Sequence, residues 1–133
     1  MKIAICDDDN SFLQNVKFLI NKIYSNPDKL SIYEYESGEQ FLLQFKPQFF
    51  DVIILDIEMC GITGLEVAEE IRKIDKSVIL AFLTSHQEFA TLGYEVNAFR
   101  YILKNQPEHM FINQLKSIFD EYHQSHITFP VQG

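Results

Sequence analysis

Several side chains that could bind a metal or transfer a group stand directly after short apolar runs of this sequence. They comprise carboxylates, hydroxyls and one amine: Asp7, Asp8, Asp9, Asp56, Thr84, Ser85 and Lys104. Carboxylates crowded into a partly buried place are costly unless a cation neutralises them. Oxygen ligands favour Mg²⁺, which takes one or two carboxylates and keeps several waters. Carboxylates, Mg²⁺, a lysine and a hydroxyl are the parts needed for phosphoryl transfer to an aspartate.

Apolar runs and helical patterns alternate along the chain. The runs at 2–6, 30–35, 52–55, 78–83 and 98–103 are apolar on both faces, which is typical of buried parallel strands. Apolar spacings of three and four predict helices at 12–23, 41–45, 65–71, 89–92 and 111–122. Repeated β-α units predict an α/β fold, a doubly wound, five-stranded parallel sheet of the flavodoxin-like (βα)5 type with helices on both faces.

The predicted topology brings the reactive side chains to one place. In such a sheet the site lies at the carboxyl ends of the strands, where the strand order reverses. Each residue alone has a simpler explanation: Asp9 as a helix cap, Asp56 as a turn residue, Thr84 as a cap of the next helix and Lys104 as a surface lysine. Their joint placement at one edge favours the functional interpretation.

Length, charge and composition exclude several classes of protein. The chain has 133 residues, enough for one domain with an ordinary core. The 11 Lys and Arg against 19 Asp and Glu give a net charge of −8, which argues against direct nucleic-acid binding by this chain. The 2 cysteines are too few for a disulfide framework, and no apolar run approaches the roughly 20 residues of a membrane span. These features predict a cytoplasmic domain without membrane contact.

Particular motifs follow one another in a recognisable order: Asp7-Asp8, Leu55-Asp56-Ile57-Glu58-Met59, Gly61 and Gly64, Thr84-Ser85, and Tyr101-Ile102-Leu103-Lys104. In this order and spacing they resemble the CheY-like receiver domain of two-component response regulators. The stretch 88–101 resembles the subset joined to a LytTR-type DNA-binding domain. The apolar stripe of the last helix ends at Tyr122, so residues 123–126 are predicted to be a linker. We expect a receiver domain at 1–124, then a linker or the start of a truncated output domain at 125–133.

The resemblance implies a role for each matching side chain. Asp56 would accept a phosphoryl group from a sensor histidine kinase, and Lys104 would pair first with Asp56 and then with a phosphoryl oxygen. Thr84 would hydrogen-bond the phosphoryl group, and Tyr101 would swing inward as Thr84 moves. Phosphorylation would then change which of two conformations is populated.

The resemblance also implies a metal site and an output surface. Mg²⁺ would be held by Asp8 and Asp56, by Asp7 mostly through water, and by the backbone carbonyl of Glu58. The implied function is that of a phospho-acceptor signalling domain, not an enzyme. It would act through an output face at residues 86–122, a candidate homodimer surface, and control transcription through a DNA-binding domain absent from this chain.

Departures from the family pattern lie beside the site. Asn105 follows Lys104 where many receivers have proline, and a cis bond without proline costs about 2.5–4 kcal/mol, so we expect a trans bond there. Cys60 stands where the family often has proline, which predicts a less constrained loop from Asp56 to Gly64.

Other classes of protein remain open at this point. Asp7-x-Asp9-x-Ser11, Thr84 and Lys104 superficially fit the motifs of a haloacid-dehalogenase-like phosphatase. That fold needs a later acidic pair for Mg²⁺, which the sequence after Lys104 lacks next to a strand, and it leaves Asp56 without a role. A receiver-like interaction module that is never phosphorylated is a further alternative, against which the intact set of acids, threonine and lysine argues.

Overall fold

Parallel strands form a single sheet in the computed structural model, which describes residues 1–125 and, within that range, all side chains except those of residues 90–94. The strands are β1 (Lys2–Cys6), β2 (Ser31–Tyr35), β3 (Val52–Asp56), β4 (Ile79–Thr84) and β5 (Arg100–Leu103). Their order in the sheet is β2-β1-β3-β4-β5, and every neighbouring pair is parallel. The order therefore reverses between β1 and β3. The predicted α/β fold with a five-stranded parallel sheet is confirmed.

The segments that connect the strands are mostly α-helical. They are α1 (Asn10–Ile23), α2 (Gly38–Gln44), α3 (Gly64–Ile74) and α4 (Glu108–Ser125), with 3₁₀-helices at Pro27–Lys29 and Gln87–Val96. None of the helices in the described part of the chain has the length and apolarity that a membrane span requires.

The segment between β4 and β5 differs from the sequence prediction. An α-helix was expected at 89–92, but Gln87–Val96 is a 3₁₀-helix. Thr91, Gly93 and Val96 are poor α-helix formers, so the local sequence gives the wider helix little support. The fourth crossover is consequently built from a less regular element than the others.

The last helix also extends beyond the predicted end of its apolar stripe. Residues 123–125, predicted to be a linker, continue α4 to Ser125. The ring of His123 stacks on Tyr24 with 5.8 Å between centroids, so a contact with α1 supports this extra turn. The predicted linker or output segment from residue 126 onward lies outside the described residues.

Hydrophobic layers cover both faces of the sheet. On one face Ile3, Ile5 and Ile54 pack against α1 and α4, and on the other Ala4 and Ile53 pack against α2 and α3. Burying one large aliphatic side chain contributes roughly 1.5–3 kcal/mol. Every residue of β3 is buried, including Asp56 at its end. The end of this central strand is therefore enclosed between the two layers.

Candidate functional site

The register of the sheet brings the ends of four strands together. Cys6 pairs with Leu55, Asp56 with Leu83 and Thr84 with Leu103, so the residues that end these strands share one edge. Asp7, Asp8 and Asp56 each place a carboxylate oxygen within 4.8 Å of those of the other two. Asp7 is fully buried and Asp56 nearly so, whereas Asp8 is exposed.

Lys104 inserts its ammonium group between two of these carboxylates. Its Nζ lies 2.8 Å from Asp7 Oδ2 and 3.4 Å from Asp56 Oδ2, and it also lies over the ring of Phe12. The resemblance implied a pair with Asp56, and the structure places the lysine closer to Asp7. Burial disfavours the ammonium, but both carboxylates outweigh it and raise the pKa of Lys104. The lysine therefore stays charged where it faces Asp56.

The backbone fixes this lysine against the neighbouring strand. Lys104 N donates a hydrogen bond to Thr84 O at 2.8 Å. The described chain contains no cis peptide bond, so the predicted trans bond between Lys104 and Asn105 is confirmed. The ammonium thus reaches Asp56 without the proline found in many receivers.

The pKa of Asp56 shows how crowded the acidic group is. Burial raises it to about 7, with a further contribution from Asp7, while Lys104 opposes both. One ammonium among three carboxylates leaves net negative charge at the edge of the sheet. A hard divalent cation would relieve that repulsion, and the oxygen donors present are those it prefers. The residues here therefore fit Mg²⁺.

Carboxylates also hold the loop between β3 and α3. Asp8 Oδ2 accepts a hydrogen bond from Cys60 N at 3.0 Å, and Glu39 Oε2 accepts one from Ile62 N at 2.9 Å. The sequence predicted a less constrained loop because proline is missing at Cys60. The structure shows that the N–H which proline would lack is used to hold Asp8 in place.

Gly64 closes this loop directly behind Asp56. Its N–H donates to Ile57 O at 3.0 Å, and a Cβ at this position would clash with the backbone carbonyl oxygen of Asp56. Thr63 and Glu66 form a capping box that begins α3 here. Glycine is needed because the start of α3 approaches the strand so closely.

The side chain of Glu58 contacts Thr84, an interaction the sequence did not predict. Thr84 Oγ1 donates to Glu58 Oε1 at 3.0 Å, and Ser85 N donates to the same oxygen at 3.3 Å. Glu58 Oε2 lies 3.1 Å from His86 Nε2. No sequence signal marks the side-chain contact, because it depends on how two loops face each other.

Tyr101 lies beside Thr84 at the other side of the same edge. Its ring packs on Phe82 with 5.1 Å between centroids, and burial raises its pKa. The hydroxyl is buried and has no hydrogen-bond partner among the described residues. Tyr101, Thr84 and Gln87 line a cavity of about 220 Å³. An aromatic side chain beside such a space has room to change position.

One class of protein carries signals by phosphorylation of an aspartate. It is defined by a doubly wound sheet that has a buried aspartate, further acids and a lysine at the carboxyl ends of its strands. Residues 3–116 match the family model described as the response regulator receiver domain. The chain therefore belongs to the response regulator receiver family. The predicted family is confirmed, and the similarities give no support to the phosphatase or to the non-phosphorylated module.

Relatives with curated names are longer regulators. The sensory transduction protein LytR of Staphylococcus epidermidis is 35% identical over 104 residues, which are 78% of this chain and 40% of that protein. The sensory transduction protein LytT of Oceanobacillus iheyensis is 32% identical over 111 residues, 82% of this chain and 44% of that protein. The chain thus spans less than half the length of these relatives.

Solved structures share the fold over most of the chain. The response regulatory domain of protein mrkE from Klebsiella pneumoniae has a TM-score of 0.77 at 29% identity, covering 93% of this chain and 99% of that one. The response regulator TrrA of Thermotoga maritima, solved in complex with Mg²⁺-BeF, has a TM-score of 0.71 at 29% identity, covering 88% and 97%.

Proposed function

We propose that this chain is the phospho-acceptor domain of a two-component response regulator and that Asp56 accepts the phosphoryl group. One observation carries the proposal: the buried Asp56 carboxylate belongs to an acidic group that fits Mg²⁺ and lies 3.4 Å from the ammonium of Lys104. A buried carboxylate with this strongly raised pKa is expected at a reactive site.

The proposed reaction moves one phosphoryl group from nitrogen to oxygen. A carboxylate oxygen of Asp56 attacks the phosphorus of a phosphohistidine on a sensor kinase, so that an O–P bond forms as the P–N bond breaks. The bonding electrons return to the imidazole nitrogen. Lys104 balances the negative charge of the phosphoryl oxygens, and the Thr84 hydroxyl donates a hydrogen bond to one of them. Tyr101 follows Thr84 and transmits the change.

Magnesium is the proposed cofactor of this step. Asp8 and Asp56 would hold it directly, Asp7 mostly through water, and Glu58 through its backbone carbonyl. Bound Mg²⁺ would cancel charge between the anionic donor and the anionic acceptor. Asp7 is buried beside Lys104, and its Oδ2 is already paired with the ammonium. This pairing supports the proposal that Asp7 binds Mg²⁺ mostly through water.

The proposed wider role is control of transcription in the cytoplasm. The relatives are more than twice as long as the matched segment, which supports a LytTR-type DNA-binding domain beyond the receiver at 1–124, with residues 125–133 as linker or first part of that domain. The partners would be a sensor histidine kinase and a second copy bound through residues 86–122. With a net charge of −8, this chain alone does not bind DNA.

The test is intact mass after incubation with acetyl phosphate and Mg²⁺. We expect one added phosphoryl group, labile to hydroxylamine, and none in Asp56→Asn. Asp9→Asn is the matched control, because Asp9 is an exposed neighbouring acid that caps α1 by accepting from Phe12 N. Labelling that persists in Asp56→Asn contradicts the assignment.

A further inference from the structure

The Glu58 carboxylate collects the hydrogen-bond donors at the end of β4. It accepts from the Thr84 hydroxyl and the Ser85 N–H, and it contacts the His86 ring from its second oxygen. Consecutive residues of one loop therefore converge on a single side chain from another loop. The phospho-acceptor chemistry proposed above does not use this carboxylate.

The Thr84 hydroxyl can serve only one such acceptor at a time. Its oxygen already accepts from His86 N at 3.0 Å, and it has a single proton to donate. That proton is directed to Glu58 Oε1 at 3.0 Å, with His86 O a longer alternative at 3.3 Å. A phosphoryl oxygen that accepts a hydrogen bond from the Thr84 hydroxyl must therefore replace Glu58 as its acceptor.

Glu58 stands next to the phospho-acceptor as well as next to Thr84. Its backbone N lies 3.4 Å from Asp56 Oδ1, while its side chain extends to the neighbouring loop. The Thr84 side chain is buried at the end of β4, whereas the Glu58 side chain is 39% exposed. The carboxylate can therefore turn into water at little cost in buried area.

We propose that Glu58 is a positioning residue that restrains phosphorylation, an inference that rests on the proposed function. Its carboxylate holds the Thr84 and Ser85 donors in the unphosphorylated domain, in the manner of an internal anion. An anion at Asp56 gains these donors only after the Glu58 side chain has turned away. The phosphoryl group therefore competes with the Glu58 carboxylate for the donors of Thr84 and Ser85.

The first experiment measures the affinity for beryllofluoride, a phosphoryl mimic, at saturating Mg²⁺. We expect Glu58→Ala to bind it about tenfold more tightly than the wild type, the size of one charge-assisted hydrogen bond. Glu58→Gln, which keeps an acceptor oxygen without the charge, should lie between the two. All variants keep the backbone carbonyl that is proposed to hold Mg²⁺, and the affinity of each for Mg²⁺ alone is measured in parallel to set the saturating concentration.

Glu88→Gln is the matched control. Glu88 is an exposed acid that contacts the other nitrogen of His86, with Oε1 3.4 Å from Nδ1. Its substitution removes one negative charge near the site, whereas Thr84 and Ser85 donate to Glu58 and not to Glu88. We expect its beryllofluoride affinity to equal that of the wild type.

A second measurement needs neither metal nor anion. Ser85 N–H donates to Glu58, so the Ser85 amide should exchange faster with solvent and shift its proton resonance in Glu58→Ala, but not in Glu88→Gln. Equal beryllofluoride affinity in wild type and Glu58→Ala at saturating Mg²⁺ would overturn the restraint, as would an equal gain in Glu88→Gln. Failure of the wild type to bind beryllofluoride, together with no acetyl phosphate labelling, would overturn the proposed function and this inference with it.

Discussion

Asp56 and Asp75 are both buried aspartates, at opposite edges of the sheet, and their surroundings differ in kind. Asp75 lies between α3 and β4, where its carboxylate accepts from Gln48 N at 2.9 Å and from Ser77 N and Val78 N, each at 3.1 Å. The neighbours of Asp56 are the carboxylate of Asp7 and an ammonium shared between the two acids.

The pKa values of the two groups move in opposite directions. Burial alone would raise the pKa of Asp75, but the N–H groups around it outweigh burial and lower it. Burial and Asp7 raise the pKa of Asp56 to about 7 against the pull of Lys104. A buried carboxylate surrounded by donors stabilises the fold, whereas one placed among carboxylates costs stability and keeps reactivity.

The largest expected effect is the loss of stability when the Asp75 carboxylate is removed from the N–H groups that surround it. Asp75→Ala leaves the N–H groups of Gln48, Ser77 and Val78 without their acceptor, so we expect a loss of about 3–4 kcal/mol in the free energy of unfolding. Urea denaturation measures it. Asp56→Asn is the comparison and should leave stability unchanged or higher at neutral pH. A loss in Asp56→Asn as large as in Asp75→Ala would remove the distinction.

The dependence of stability on pH should separate the two aspartates. The folded-state pKa of Asp56 lies above its unfolded value near 4, so the native state binds more protons and stability falls as pH rises from about 4 to about 7. The lowered pKa of Asp75 means that its ionised form stabilises the fold at pH values above the pKa it has in the unfolded chain. This contribution is lost only as pH falls below about 4. Melting curves without Mg²⁺ should show the first decline in the wild type and a flatter profile in Asp56→Asn. An unchanged profile in that variant contradicts the raised pKa.

Magnesium should stabilise the domain through the acidic edge alone. A ligand at one hundred times its dissociation constant stabilises the native state by about 2.7 kcal/mol. We expect Mg²⁺ to raise the melting temperature of the wild type and to do so much less in Asp8→Asn, whose metal-free form should be at least as stable because repulsion is relieved. Asp9→Asn serves as control. If Asp8→Asn keeps the full rise, Asp8 is not a ligand.

The smallest effect should appear at the output face. Phosphorylation should redistribute amide exchange at residues 86–122, through a coupling of about 1 kcal/mol carried by Thr84 and Tyr101. The amides around Asp75 should not respond, because that site lies at the other edge. Exchange measured with and without beryllofluoride tests this. Changes confined to α1 and α2 would contradict it.

Parts of the molecule differ in how far the sequence could predict them. Runs that are apolar on both faces identify the parallel strands, and the geometry of parallel sheets then places Asp7, Asp56, Thr84 and Lys104 at one edge. The closer approach of Lys104 to Asp7 than to Asp56 is a difference of 0.6 Å, from 2.8 to 3.4 Å, and no residue pattern encodes that.

Other features were missed for identifiable reasons. The 3₁₀-helix Gln87–Val96 keeps an apolar spacing that a short α-helix also shows, so periodicity could not distinguish them. The contact of Glu58 with Thr84 depends on side-chain rotamers across two loops. Asp75 did leave a signal, since an aspartate followed two residues later by serine between a helix and a strand is typical of an Asx-turn.

The packing of Tyr101 on Phe82 has a spectroscopic consequence. The chain contains 6 tyrosines and no tryptophan, so it has no intrinsic indole emission. Tyr101→Trp would place a single indole at the cavity beside Thr84, where the larger ring has about 220 Å³ next to it. The emission wavelength and fluorescence anisotropy of this tryptophan would then report the position of the ring in real time. The measurement would work in the isolated chain or in a longer regulator without other tryptophans.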